Sequence, residues 1–245
     1  MNFLFLRGLA RHHGHWYGFE NNFIDNNQVL CIDIPGNGDY SSEISKKSIK
    51  ENVEFVRMEW KKKKIENGQP WCVVAISMGA MIALTWEYQF PNDFEKIFII
   101  NTSAKNFSSP FKRFSLETIF KLPKLIFSES LTQEKTILDI TLNLKKVDDK
   151  LIDNAMKLIG QKTSTKNFFI QLNAAANFSL PSFNPNQNLK IIVICSLKDR
   201  LVDSSSSLKI SSYLKTKIFI HPSAGHDLPL DDGEWLKKII IENIH

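Results

Sequence analysis

Three residues carry the most evident chemistry in this sequence, and each stands where a buried apolar run gives way to a turn. Ser77 lies in Ala75-Ile76-Ser77-Met78-Gly79-Ala80, after one apolar run and before another. A sharp strand-to-helix turn strains its central residue and accepts only small neighbours two places before and after it. Ala75 and Gly79 supply them, giving a G-x-S-x-G pattern with alanine in the first glycine position. Such a turn exposes the serine hydroxyl and aims the Met78 N–H at the same space. Asp199 follows the run 190–196, and His226 follows the run 217–221 within Ser-Ala-Gly-His-Asp-Leu-Pro. A serine hydroxyl is a weak nucleophile until a base takes its proton. An imidazole does so best when a carboxylate fixes its tautomer. The order Ser77, Asp199, His226 therefore points to acyl transfer through a covalent intermediate.

Other residues compete for these roles. Asp203 is a second candidate acid, but Asp199 stands nearer the end of its strand. His221 falls inside its strand and reads as an edge residue, not the base. His12, His13 and His15 suggest a metal, yet neither a cysteine nor an acidic residue completes a familiar ligand spacing around them, so no metal is expected. Cys31, Cys72 and Cys195 are odd in number and sit among aliphatic residues, as buried reduced thiols do. The run Lys61–Lys64 reads as the charged end of a helix.

Positioning three such loops at one edge requires a sheet. Short, nearly unbroken apolar runs at 2–6, 28–33, 71–76, 96–101, 190–196 and 217–221 read as strands covered on both faces. Helical stretches at 48–65, 78–90, 204–214 and 233–244 alternate with them, and Asp231-Asp232 precede the last. The pattern predicts an α/β fold with a parallel sheet of about six strands flanked by helices. The alternation breaks between residues 105 and 188. That segment offers helical stretches at 111–127, 132–144, 148–159 and 166–178, bracketed by Ser-Ser-Pro and Leu-Pro-Ser-Phe-Asn-Pro. The expectation is a core of residues 1–104 and 189–245, with 105–188 as a helical lid.

Composition sets outer limits. The 245 residues are 43% hydrophobic and 23% charged, which excludes a disordered chain. Lys and Arg number 31 against 26 Asp and Glu, a formal charge of +5, without the interleaved aromatics that bind single strands. Nucleic acid and membrane are thus not expected partners. The first residues lack a basic segment before their apolar run, so a cytoplasmic location is the expectation. Oligomeric state is not legible.

With these motifs in place, the chain resembles the α/β-hydrolase superfamily over nearly its whole length outside 105–188, and within it an esterase-like bacterial group. Arg7-Gly8-Leu9 sits where the family usually has His-Gly-X, which implies Leu9 and Met78 as the two oxyanion N–H donors. Asp33-Ile34-Pro35-Gly36-Asn37-Gly38 is similar to the family's D-x-P-G-x-G turn. The resemblance implies a serine hydrolase of the carboxylesterase type, with Ser77, Asp199 and His226 as triad and no cofactor. It would cleave an ester or thioester, free or linked to a carrier; a C–C hydrolase, a lyase or a non-catalytic binding homologue are the alternatives. Arg7, His13, Trp16, Phe111, Phe114 and Phe169 are expected to bind substrate. The aromatic and aliphatic residues of the lid, Phe120, Leu122, Ile126, Phe127, Phe168 and Leu172 among them, are expected to supply an apolar acyl pocket.

Overall fold

Six β-strands form one sheet, and every pairing in it is parallel. The computed structural model describes residues 1–158, 162–184 and 189–244. The strands are β1 (Asn2–Leu6), β2 (Val29–Cys31), β3 (Trp71–Ile76), β4 (Lys96–Ile100), β5 (Ile191–Ser196) and β6 (Ile218–His221), in spatial order β2-β1-β3-β4-β5-β6. Parallel neighbours need long crossovers, and these put helices on both faces. The strands are continuous apolar runs for that reason, with every residue of β1, β3 and β5 buried. The parallel architecture expected from the sequence is the one observed. The observed β2 keeps only three residues of the 28–33 run.

Two apolar layers sandwich the sheet. On one side α1 (Ile49–Lys63) and α2 (Met78–Gln89) pack on Leu4, Val73, Ile97 and Val193, beside α8 (Ser205–Leu214). On the other, α10 (Gly233–Glu242) and two 3-10 turns (His13–Trp16 and Phe19–Phe23) cover Phe5, Val74, Phe98 and Ile194. Ser48 caps α1 by accepting the Glu51 N–H, and Asp232 caps α10 by accepting the Trp235 N–H. The helix α2 has no polar face, since every residue from Met78 to Glu87 is buried.

Among the described residues five helices lie between β4 and β5: α3 (Pro110–Arg113), α4 (Leu116–Phe127), α5 (Ser130–Thr141), α6 (Asp149–Lys157) and α7 (Thr165–Asn177). The single 111–127 helix expected from periodicity is two helices. Phe114 and Ser115 adopt extended backbone, and the Ser115 side chain accepts the Thr118 N–H to start α4 afresh. A short α9 (Leu228–Asp231), not expected from the sequence, links the His226 loop to α10. Of the expected boundaries, Ile159, Pro185 and Asn188 lie outside the described residues. Among the described residues no helix is long and apolar enough to cross a membrane.

Candidate active site

Ser77 is the pivot between β3 and α2. Its backbone lies at φ 58° and ψ −119°, where a side-chain-bearing residue is strained. Neighbours hold it there: its N–H donates to Ile100 O at 2.8 Å, and Thr102 Oγ1 donates to its carbonyl at 3.0 Å. Gly79 must be small, because a Cβ there would press into the carbonyl oxygens of Leu6 and Arg7, the latter at 2.7 Å. Gly8 has the matching constraint, since a Cβ on it would stand 3.0 Å from Ser77 Cβ. The loop after β1 therefore passes directly against the serine.

Asp199 and His226 meet from the ends of β5 and β6. Asp199 Oδ2 lies 2.7 Å from His226 Nδ1, with the two side chains 1% and 7% exposed. The other oxygen, Oδ1, accepts the N–H groups of Leu201 and Val202 at 2.8 and 2.9 Å. A carboxylate on Nδ1 keeps the ring proton there and leaves the Nε2 lone pair free to accept one. Among the described residues Ser77 Oγ makes no hydrogen bond, but Ser77 and His226 line one cavity. Asp203, the competing acid, instead receives the Ser205 N–H at 2.9 Å at the start of α8, and hydrogen bonding from Ser205, its side chain foremost and then its backbone, holds that carboxyl below the usual range.

Two supporting residues escaped the sequence reading. Asn101, at φ 47° just after β4, donates to His226 O at 2.8 Å and accepts the Ser196 N–H at 2.8 Å. It thus fixes the histidine loop against β5. Asp231 accepts four N–H groups, from Gly225, Asn143, Leu144 and Lys145, at 2.6–3.0 Å. The only sequence signal for either was a polar residue beside a strand end or a capping position.

The loop facing Ser77 is a tight turn. Arg11 N–H donates to Gly8 O at 3.2 Å, and Ala10 lies at φ 55°, the third-residue conformation of a type II turn. Among the described residues neither the Leu9 N–H nor the Met78 N–H donates a hydrogen bond. Both residues line the cavity beside Ser77 and His226. Donors left free in this way are what a developing oxyanion requires.

The cavity above these groups measures about 890 Å³. Its walls mix Met81, Phe114, Ile126, Ile137, Phe168 and Leu172 with a polar rim that includes Arg113 and Thr163. Most of these come from the helices between β4 and β5.

Several expected substrate contacts sit elsewhere. Trp16 is 1% exposed and packs on Phe5 and Phe19 within the sheet's apolar layer, away from the cavity. Arg7 reaches the cavity wall, but its guanidinium is spent in a two-pronged pair with Asp227 at 2.7 and 3.1 Å, above the Trp16 ring. Burial pushes the Asp227 carboxyl up, and the Arg7 charge and hydrogen bonds outweigh that, leaving it below the usual range. His13 does not reach the cavity either; its Nδ1 lies 2.7 Å from Asp33 Oδ2, a bond that raises its pKa. Phe111 and Phe169 are exposed and absent from the cavity wall, as are Phe120 and Phe127. Phe114 alone of the three named phenylalanines lines it: it sits in the extended break between α3 and α4, whereas Phe111 on α3 and Phe169 on α7 are exposed.

The histidine cluster does have an acidic partner, contrary to the sequence reading. One ligand atom each from His12, His13 and Asp33 fall within 4.8 Å of one another. The donors are already spent on the fold. Asp33 accepts the His13 and Asp39 N–H groups, and His12 Nδ1 accepts the Gly14 N–H. Burial lowers the pKa of His12 and, more strongly, that of His15.

Comparison with known proteins agrees with this fold. A family model described as the alpha/beta hydrolase fold matches residues 2–233. No curated protein matches the chain. Among solved structures, an esterase from Exiguobacterium antarcticum superposes with a TM-score of 0.78 at 14% identity, covering 100% of this chain and 91% of that one. A lipase-esterase related protein from Clostridium acetobutylicum gives 0.76 at 13% identity, over 99% and 93%. The type II thioesterase BorB from the borrelidin biosynthetic cluster gives 0.68 at 16% identity, over 100% and 92%. At these identities the likeness is one of fold.

Proposed function

The chain belongs to the α/β-hydrolase family, and from that premise we propose that it is a serine hydrolase cleaving a carboxylic ester or thioester. The observation carrying this reading is the buried 2.7 Å link from Asp199 to His226 Nδ1, in a cavity shared with the strained Ser77. Catalysis begins when Ser77 Oγ attacks the acyl carbon and His226 Nε2 takes its proton. Asp199 holds the ring and stabilises the imidazolium. The negative oxygen of the tetrahedral intermediate accepts the Leu9 and Met78 N–H groups, each such donor being commonly worth about 3–4 kcal/mol. The alcohol or thiol then leaves with the proton held by His226. Water, deprotonated by the same ring, attacks the acyl-Ser77 ester and frees the acid.

The helices α3 to α7 act as the lid of this reading, and their inward residues Phe114, Ile126, Phe168 and Leu172 hold the acyl chain. The thioester part draws support from the likeness to BorB, and a carrier-linked acyl group is consistent with it. A cytoplasmic location completes the reading. The test is turnover of short-chain p-nitrophenyl esters and acyl thioesters. Wild-type turnover lost in Ser77→Ala supports the hydrolase; silence on both panels from folded protein speaks for the non-catalytic or carbon–carbon alternatives.

A further inference from the structure

The turn carrying Leu9 is strained, because Ala10 holds a left-handed backbone that glycine adopts far more readily. Something outside the turn has to hold it. The Ala10 N–H donates to Gln171 Oε1 at 2.9 Å, and Gln171 lies on α7, among the helices between β4 and β5. Its other atom is equally committed: Nε2 donates to Asn37 Oδ1 at 2.7 Å and to Ser45 Oγ at 2.9 Å. Asn37 then closes the circuit, its Nδ2 donating to Arg11 O at 2.8 Å. Gln171 and Asn37 are 0% exposed, so no water competes for these bonds. The turn is thus gripped on both sides of Ala10 by two buried amides.

Were the turn to rearrange, the Ala10 N–H, Gln171 Oε1 and the Arg11 carbonyl would lose their partners in a buried setting, a cost that opposes any shift of the residues between Gly8 and Arg11. We propose that Gln171, with Asn37, is a positioning clamp for the oxyanion turn, fixing the turn so that the Leu9 N–H stays beside the Met78 N–H. This rests on the serine hydrolase reading. Its consequence is that the inserted helices complete the catalytic core as well as roofing the cavity.

The test compares wild type with Gln171→Met, which keeps side-chain length but removes the acceptor and both donors. A misplaced catalytic group can cost about 100-fold, so kcat per phosphonate-titrated site is expected to fall by roughly 10- to 100-fold with KM little changed. Amide hydrogen exchange at Ala10 is expected to quicken in the same variant. If Gln171→Met does not fold, Asn37→Asp sets a carboxylate oxygen against the Arg11 carbonyl where the amide donated, and so loosens the turn from its other end, with the same kcat loss expected. Wild-type kcat and unchanged Ala10 exchange overturn the clamp. So does a loss confined to Tm or to the titratable fraction, which marks a merely structural role. Wild type without Ser77-dependent turnover instead sinks the hydrolase reading, and Ala10 exchange then still decides whether Gln171 grips the turn.

Discussion

At the scale of single residues, the two candidate acids separate by what they touch. Asp199 faces His226 Nδ1, whereas Asp203 serves the first turn of α8. Replacing Asp199 by Asn leaves the ring in the wrong tautomer, an effect worth about 10⁴ in kcat in serine proteases. Asp199→Asn is therefore expected to lose activity by orders of magnitude, and Asp203→Asn to keep most of it. Comparable losses in both variants would dissolve the distinction. The three candidate residues were legible because each follows a strand, and strands show themselves locally. The Arg7 ion pair was not legible for the opposite reason: its partner Asp227 lies 220 positions away, and no local pattern announces a pair made by folding.

At the scale of elements, α2 shows what complete burial does to an ionisable group. Glu87 is 2% exposed, and desolvation pushes its carboxyl up to about 7, against only a weak offset from Lys190. A folded-state pKa above the unfolded one means that the native state binds the extra proton between roughly pH 4.3 and 7. Glu87 therefore favours folding at low pH, and that contribution is lost as pH rises through the folded value. Glu87→Gln, which keeps the shape without the charge, is expected to raise Tm more at pH 8 than at pH 5. An equal gain at both pH values contradicts this account. The same helix begins at the elbow, where Gly79→Ala would force a methyl onto the Leu6 and Arg7 carbonyls. Overpacking of that kind commonly costs about 1–3 kcal/mol, so thermal melts should show a Tm loss of several degrees together with lost activity. A melt like wild type would mean the elbow has room that these contacts deny. The strands and flanking helices were readable because their burial is continuous. The helices between β4 and β5 were harder, since α4 is apolar over more than one face. Periodicity could not tell that Phe120 faces solvent while Ile126 faces the cavity.

At the scale of the whole molecule, a cavity of about 890 Å³ between sheet edge and inserted helices sets what substrate fits. Its apolar wall should reward longer acyl chains by up to about 0.8 kcal/mol per buried methylene. kcat/KM is then expected to climb from acetyl towards medium-length acyl esters and fall where the cavity ends. A flat profile, or a preference for charged acyl groups, would refute an apolar acyl site. The α/β architecture and the order of the three candidate residues could be read from the chain, but this cavity could not. It depends on which faces of five helices turn inward, and on a turn gripped by residues 26 and 161 positions distant.

The central claim is that Ser77 is a nucleophile activated by His226, and covalent labelling tests it most directly. Intact protein would be treated with an aryl alkylphosphonate, digested, and the modified peptide located by mass. The account predicts a single adduct on Ser77, formed in wild type, absent in Ser77→Ala and strongly slowed in His226→Ala. A phosphonate bound elsewhere, or a folded wild type left unlabelled, would contradict it.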